Sequence, residues 1–312
     1  MESIIIGVDT GNRCIKTKTT AFVAGVRSSL TPPVANRSVI QYGGKYWALT
    51  TERINYLRDK TETDDYFVLT LFAVMKELEA RGCVVRKEAP VPVRLGVGLP
   101  PAHIAALKER FIKYFSRGTV TFRYNNKPVS IRIEEVCLFA QGYAAIFTLP
   151  KEIRKSPHAY IVDIGGYTTD VMALEHGALD PKMCVSLDFG IIGLYSLVQT
   201  EIHSATGHMP SEDMIDELLA GNGNIRMSTE MKNIATEIAM DYTTKLFRKL
   251  SEMGVDLTLS QAICVGGGSA RLRPYIEQCP LVSAPYIFED IHANACRAHS
   301  GVRLCPFCFS SV

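Results

Sequence analysis

The first third of the chain carries short apolar runs separated by turn residues. An apolar run at 4–8 is followed by a polar break and by alternating apolar positions from Cys14 onward, which predicts a β-hairpin. The stretch 38–50 predicts a second hairpin, because the glycine pair in its middle supplies the positive φ angles of a tight turn. Residues 64–81 have apolar positions at helical spacing, and the predicted stripe consists of Phe67, Leu71, Val74 and Leu78.

The central part of the chain adds a strand and helix unit and a further hairpin. Residues 93–101 predict a buried strand that stops at a proline turn, and the apolar residues Ile104, Leu107, Phe111 and Phe115 predict a helix after it. Alternation through 119–139 predicts two strands joined at Asn125-Asn126. A long amphipathic helix is predicted at 229–250, with Met231, Ile234, Ile238, Tyr242 and Leu246 on its apolar side. The mixture predicts an α/β protein.

One pattern occurs twice. The segments "IIGVDTGNRCIKTKT" and "YIVDIGGYTTDVMAL" share the order strand, aspartate, any residue, glycine, polar turn, second strand. The repeat pairs Asp9 with Asp163 and Gly11 with Gly165, 154 positions apart in both cases (163 − 9 and 165 − 11). A repeated pattern of this kind predicts two lobes of similar construction, each opening with the same hairpin.

The repeated turns have the composition of anion sites. A turn rich in Gly, Thr and Asn exposes several backbone N–H groups, which bind phosphate without a charged side chain. Asp9 and Asp163, each at a strand end, offer the oxygen ligands that Mg²⁺ prefers, and Lys16 would reach phosphates as a point charge. Each turn taken alone is equally typical of a plain tight turn. The occurrence of two such turns favours a nucleotide site.

A glycine cluster strengthens this interpretation. Gly266, Gly267 and Gly268 follow a short apolar strand and precede a helix, so the backbone can approach an adenosine and its α-phosphate closely. The cluster is neither a P-loop nor a Rossmann turn, since it lacks Gly-Lys-Ser/Thr and the G-x-G-x-x-G spacing. The "GVGLPP" segment also fails the Rossmann pattern, and we interpret it as a structural strand end.

The charge, the cysteine content and the length of the apolar runs restrict the classes of function that this chain can have. The 312 residues have a formal net charge of +2, so nothing in the charge balance points to direct nucleic-acid binding. The nine scattered cysteines and the absence of a signal-peptide pattern indicate a reducing cytoplasm. "CPFC" at 305–308 has the spacing of half a zinc site or of a redox pair, but without a second such motif we favour packing cysteines. The apolar runs are shorter than the ~20 residues of a membrane span.

The ordered motifs resemble those of a known superfamily. The segments are "GVDTGNRCIK", "EEVCLFAQGYAA", "VDIGGYTTDV", "CVGGGSARL" and "ANACRA". They resemble the nucleotide-site segments shared by actin, the heat-shock chaperone ATPases and sugar kinases, and are most similar to the bacterial actin-like proteins of the ParM/StbA type. The resemblance implies an actin-like two-lobed α/β fold, each lobe a ribonuclease H-like mixed sheet with flanking helices, and a nucleotide cleft between the lobes. It also implies domain I at 1–155, with a small subdomain inserted at about 25–90, and domain II at 156–312, with a final helix at about 292–302 packing back toward domain I.

The resemblance also assigns roles to residues. It implies that Asp9 and Asp163 hold Mg²⁺ through water, that Lys16 contacts phosphate, and that Gln141 positions the attacking water. Asp163 is then also a catalytic residue. Glu135 is the carboxylate that would replace Gln141 if the alignment slips, and Asp170 either closes the second loop or contacts the metal. The implied nucleotide-binding residues are Asp9, Gly11, Asn12, Lys16, Gly165, Gly166, Tyr167, Thr168, Gly266, Gly267 and Gly268.

The expected function follows from the same resemblance. It implies a cytoplasmic bacterial ATPase, with GTP as an alternative substrate, that polymerises head to tail into filaments for plasmid segregation. Its expected partners are copies of itself and a DNA-binding adaptor, without direct contact to DNA or to a membrane. A small-molecule kinase of the same superfamily is the alternative, and it would need a carboxylate base facing an acceptor hydroxyl.

Overall fold

The structure, a computed structural model, describes residues 2–33, 38–57, 59–143, 150–221 and 227–288. These residues fall into two compact units, with the division between Thr148 and Leu149. The helix predicted at 292–302 and the CPFC segment lie outside the described residues. No helix in the described ranges is long and apolar enough to cross a membrane.

The described strands of the first unit form a nine-stranded sheet with the order β3-β2-β1-β7-β9-β8-β5-β6-β4. The central strands β1, β7 and β9 run parallel to one another. The hairpin partners are antiparallel. The strands are β1 (Ile4–Thr10), β2 (Cys14–Lys16), β3 (Ala21–Val23), β4 (Val26–Ser29), β5 (Val39–Tyr42), β6 (Lys45–Leu49), β7 (Val91–Leu99), β8 (Thr119–Tyr124) and β9 (Lys127–Ala140).

The hairpins predicted in this unit are confirmed. Strands β5 and β6 join through Gly43 and Gly44, which have φ angles of 60° and 75°. Strands β8 and β9 join through Asn125 and Asn126, with φ angles of 49° and 65°. Positive φ at both turn residues matches the right-handed twist of the flanking strands, which is why Gly and Asn occupy these positions.

Two helices, α1 (Asp65–Ala80) and α2 (Pro101–Phe115), complete the described part of this unit. The predicted stripe of α1 is buried, but so is every residue from Tyr66 to Met75. A helix that is apolar on all sides is buried on all sides. Helix α1 is therefore a core element rather than a surface helix with one apolar face, and it contacts β1, β2 and β5.

The second unit contains a five-stranded sheet with the order β12-β11-β10-β13-β14 among its described strands. The strands are β10 (His158–Ile164), β11 (Thr169–Glu175), β12 (Ala178–Leu187), β13 (Gln261–Val265) and β14 (Tyr286–Ile287). The helices are α3 (Lys151–Arg154), α4 (Ile191–Thr206), α5 (Glu212–Leu219), α6 (Thr229–Glu252) and α7 (Gly266–Glu277). Helices α4 to α7 pack with the apolar side chains of β10 and β13 in one hydrophobic core.

The long helix α6 begins at a side-chain cap, since Ser228 Oγ accepts a hydrogen bond from the backbone N of Met231 at 3.1 Å. Its buried face is displaced from the predicted stripe. Ala235 and Ala239 are fully buried, whereas Ile234 and Ile238 are only partly buried. Small residues on the buried face let the helix approach its neighbours closely, so the more apolar isoleucines lie at the margin.

The internal repeat has a structural counterpart in strand pairing. Strand β1 is antiparallel to β2 and parallel to β7, and β10 is antiparallel to β11 and parallel to β13. The register also corresponds, because Asp9 lies opposite Lys16 and Asp163 lies opposite Asp170. Lys16 and Asp170 are therefore equivalent positions in the repeat.

Candidate functional site

The first predicted loop joins β1 to β2. Asp9 is buried with 5% of its surface exposed, and its partner across the hairpin is Lys16. Directly opposed residues of an antiparallel pair project from the same face, so the carboxylate and the ammonium group lie on one side of the hairpin. A Cβ atom on Gly11 would lie 2.7 Å from the carbonyl oxygen of Cys14. The turn thus requires a residue without a side chain at this point.

The candidate water-positioning residue lies next to Asp9. Gln141 follows β9 directly, its backbone N donates to the carbonyl oxygen of Leu99 at 3.1 Å, and its Nε2 donates to Asp9 Oδ1 at 2.6 Å. The alternative residue, Glu135, lies six residues earlier, about 20 Å back along an extended strand. Glu135 accepts a hydrogen bond from Arg94 Nε at 2.6 Å. Of these two residues, only Gln141 contacts Asp9.

Two further residues hold the first loop and were not identified from the sequence. Lys60 is 7% exposed, and its Nζ donates to the carbonyl oxygen of Thr10. The same ammonium group lies 5.0 Å from the ring centroid of Tyr66, whose hydroxyl donates to Asn12 Oδ1 at 2.9 Å. Lys60 belongs to a polar segment without apolar periodicity, so no sequence signal distinguishes it from a surface lysine.

The second predicted loop joins β10 to β11. Asp163 and Asp170 are opposed across the hairpin and are 8% and 6% exposed. The loop closes through the backbone N of Gly165, which donates to the carbonyl oxygen of Thr168 at 2.8 Å. Thr168 Oγ1 donates a hydrogen bond of 3.4 Å to Asp170 Oδ2. This contact lies within the hairpin, which agrees with the interpretation of Asp170 as the residue that closes the second loop.

The start of helix α4 supports this loop. The carbonyl oxygens of Gly165 and Gly166 accept hydrogen bonds from the backbone N atoms of Ile191 and Ile192 at 3.1 and 2.9 Å. A Cβ atom on Gly190 would lie only 2.2 Å from the carbonyl oxygen of Gly166. Glycine at 190 is therefore a condition for the contact between the loop and the helix.

Tyr242 of helix α6 completes this support. Its hydroxyl donates to the carbonyl oxygen of Gly190 at 2.8 Å, and burial raises its pKa to about 12. The hydroxyl therefore stays protonated and remains a donor at neutral pH. The apolar stripe of α6 identified Tyr242 as a core residue, but the helical pattern holds no information about the partner of its hydroxyl group.

The glycine cluster forms the first turn of α7 rather than a loop before it. The residue before the helix, Val265, is extended and has no side-chain group that could cap the helix. Gly266 has a φ angle of 89°, and a Cβ atom there would lie 2.3 Å from Asp163 Oδ1. A Cβ atom on Gly268 would lie 2.5 Å from Ile164 Cγ2. The glycines thus let the helix start pack directly against the end of β10, beside the Asp163 carboxylate.

The predicted residues form two groups, one in each unit. In the first unit, Asp9, Lys16 and Gln141 meet at the β1–β2 hairpin. In the second, Gly266 lies beside the Asp163 carboxylate and Gly268 lies against Ile164, from which the Gly165–Thr168 turn continues. Within the described ranges, no three His, Cys, Asp or Glu side chains are placed to bind a metal together. A magnesium ion held by one or two carboxylates and several waters needs no such cluster.

Comparisons with known families cover both units. Residues 7–143 match the family described as the N-terminal domain of actin-like proteins, and residues 161–278 match the C-terminal domain of the archaeal actin homologue MreB-like family. A search of curated proteins found no match.

Solved structures with the same fold include the crystal structure of Ta0583, an archaeal actin homologue. It has a TM-score of 0.76 and 17% sequence identity, and the alignment covers 95% of this chain and 98% of that one. The ParM chain of a 15-stranded filament from Clostridium botulinum has a TM-score of 0.73 and 18% identity over 96% and 99% of the two chains. An Alp12 filament structure has a TM-score of 0.64 and 16% identity over 96% and 97%.

The matches to solved structures over 95–96% of this chain show a protein with the actin fold. The chain belongs to the actin-like proteins, and the resemblance inferred from its motifs is confirmed. The expected α/β actin-like fold is confirmed with it.

Proposed function

We propose that this chain is a nucleotide-hydrolysing actin-like protein that assembles into filaments and serves plasmid segregation. The observation that carries the proposal is the repeated hairpin, in which a buried aspartate at a strand end precedes a glycine turn in both units. A similar actin homologue, Ta0583, has been crystallised with ADP.

The two turns are the proposed phosphate-binding elements. In the first, the backbone around Gly11 and Asn12 would bind phosphate oxygens, with the Lys16 ammonium group as the cation. In the second, Gly165 to Thr168 would do the same. The N-terminus of α7 is the proposed element for the adenosine and its α-phosphate, because Val265 before the helix has no side-chain group that could cap it and a helix N-terminus favours an anion.

Asp9 and Asp163 are the proposed magnesium ligands, acting through water. The fit is supported by chemistry, since both are buried carboxylates at strand ends and oxygen is the ligand that Mg²⁺ prefers. When bound, the ion would neutralise charge that develops on the transferred phosphoryl group. The absence of a side chain on Gly266 leaves the Asp163 carboxylate in contact with the start of α7.

Gln141 is the proposed water-positioning residue. An amide cannot act as a strong base, but phosphoryl transfer with a loose transition state needs orientation of the nucleophile more than removal of its proton. The hydrogen bond from Nε2 to Asp9 would fix the amide so that its carbonyl oxygen accepts from the water. Slow hydrolysis is expected from a site of this kind.

Filament formation is proposed from the relatives that are described as filaments, a ParM and an Alp12. A head-to-tail contact that does not close on itself generates an open helical polymer. The proposed partners are further copies of the chain and a DNA-binding adaptor. Direct DNA binding is not part of the proposal, which agrees with a formal net charge of only +2.

Sedimentation and light scattering with Mg²⁺ and ATP or GTP test the proposal, together with phosphate release in the absence of any acceptor. We expect assembly that depends on nucleotide and protein concentration. Asp163→Asn should abolish magnesium-dependent nucleotide binding, whereas Asp188→Asn, at an exposed position of the same unit, should leave it unchanged. A protein that stays monomeric and phosphorylates a small molecule would instead be the kinase of the alternative hypothesis. Binding of duplex DNA by the chain alone would contradict the proposal that a separate adaptor binds the DNA.

A further inference from the structure

Gly98 lies between the strand ends that carry the first loop and the candidate water-positioning residue. It is the penultimate residue of β7, and its register partner on β9 is Phe139. Its carbonyl oxygen accepts a hydrogen bond from Thr10 Oγ1 at 3.2 Å, which connects it to the end of β1. From the sequence alone, the segment containing Gly98 predicts a structural strand end.

The space above Gly98 is filled by two buried side chains. A Cβ atom on this residue would lie 2.9 Å from Gln141 Cγ and 2.9 Å from both Cε2 and Cζ of Phe139. Phe139 and Gln141 are 5% and 8% exposed, so neither side chain can move outward without losing buried contacts. Gly98 is not among the glycines with positive φ, so the position requires glycine for space and not for backbone conformation.

The side chain of Gln141 is held at both ends. Its backbone N is bound to the carbonyl oxygen of Leu99, and its amide is bound to Asp9 at 2.6 Å. The methylene chain that joins these two ends passes over Gly98. An added methyl group would therefore push Cγ away while the backbone stays in place, and the amide could no longer reach Asp9 in the same geometry.

We propose that Gly98 is a positioning residue for hydrolysis, which acts by leaving the space in which Gln141 is aligned. This inference rests on the proposed function, in which Gln141 orients the attacking water. Misplacing a catalytic group by about 1 Å lowers a rate by about a hundredfold. Gly98→Ala should therefore lower kcat by about ten- to a hundredfold and leave the nucleotide Kd within about threefold, because neither Gly98 nor Gln141 is a proposed phosphate ligand.

A double-mutant cycle tests the route of the effect. Gly98→Ala is measured in the wild-type chain and in Gln141→Ala, with phosphate release for kcat and a fluorescent nucleotide analogue for Kd. In the Gln141→Ala background, Gly98→Ala should change kcat by less than about twofold, because the displaced side chain is already missing. Gly118→Ala is the matched control, since a Cβ atom there meets nothing within 4 Å and its φ of 61° adds backbone strain alone.

The second readout does not depend on hydrolysis. The side-chain amide resonance of Gln141, assigned by its absence in Gln141→Ala, should shift in Gly98→Ala and stay in place in Gly118→Ala. Absence of hydrolysis in the wild-type chain would overturn the proposed function. In that case the amide resonance would still show whether Gly98 sets the position of the Gln141 side chain. Multiplicative losses in the cycle, an equal loss in Gly118→Ala, or an unmoved resonance would overturn the role of Gly98.

Discussion

Replacing Glu77 by glutamine should destabilise the first unit and remove part of its sensitivity to acid. Glu77 is a buried carboxylate of helix α1 with 1% of its surface exposed. Its oxygens accept hydrogen bonds from Thr17 Oγ1 at 2.7 Å, Thr19 Oγ1 at 2.6 Å and the Arg81 guanidinium at 2.6 Å. The residue therefore connects the segment after β2, which carries Lys16, to the core helix.

The magnitude follows from the pKa of this carboxyl group. Burial by itself would raise the pKa, but the hydrogen bonds from Thr17, Thr19 and Arg81 outweigh burial and lower it from 4.5 to about 2. A pKa lowered in the folded state stabilises the protein at pH values above 4.5, and this stabilisation is lost as the pH falls from about 4.5 toward 2. The difference corresponds to about 3 kcal/mol at pH 7 and to about half of that at pH 3.

Urea unfolding, followed by the fluorescence of Trp47, measures the stability of the unit that contains Glu77. Trp47 is the single tryptophan of the chain and is buried on β6 of the first unit. Glu77→Gln should lower the free energy of unfolding by about 3 kcal/mol at pH 7, and the deficit should shrink to about half at pH 3. The control is Glu109→Gln, an exposed position on α2.

Two outcomes would refute the reasoning. A deficit of the same size at pH 7 and pH 3 would show that the loss comes from packing of the amide rather than from the charge. A loss of similar size in Glu109→Gln would show that the measurement reports net charge and not the bonds from the two threonines and the arginine.

Two further perturbations address the loops directly. Gly268→Ala places a Cβ atom 2.5 Å from Ile164 Cγ2 and should cost about 1–3 kcal/mol of stability. Gly267→Ala, whose Cβ would have its nearest contact at 3.4 Å, should leave the melting temperature nearly unchanged; equal melting temperatures of the two variants in calorimetry would contradict the close packing of α7. Lys60→Met removes the hydrogen bond to the Thr10 carbonyl and should weaken nucleotide affinity about tenfold, the equivalent of about 1.4 kcal/mol. Lys113→Met, at an exposed position, serves as its control. Equal nucleotide affinities of the two variants in titration calorimetry would contradict a role of Lys60 in holding the first loop.

The local elements of this protein were largely predictable from its sequence. The hairpin at Gly43-Gly44 and the hairpin at Asn125-Asn126 follow from turn chemistry, because few residues tolerate the positive φ angles involved. The repeated aspartate hairpin was visible as a pattern, and its strand pairing proved equivalent in the two units. Patterns of this type depend on neighbours in the chain, which is why the sequence contains them.

The residues that hold the loops in place were decided only by the tertiary structure. Gly190 lies 24 positions beyond Gly166, Lys60 lies 50 positions beyond Thr10, and Gly98 lies 43 positions before Gln141. Their roles depend on where a carbonyl oxygen or a methylene group from a distant strand comes to lie. By itself, the sequence determined which hairpins form and which side chains bring carboxylate, lysine and glycine chemistry to them. Only the packing of distant strands and helices decided which glycines have no room for a side chain, because that space is set by contacts between residues far apart in the chain.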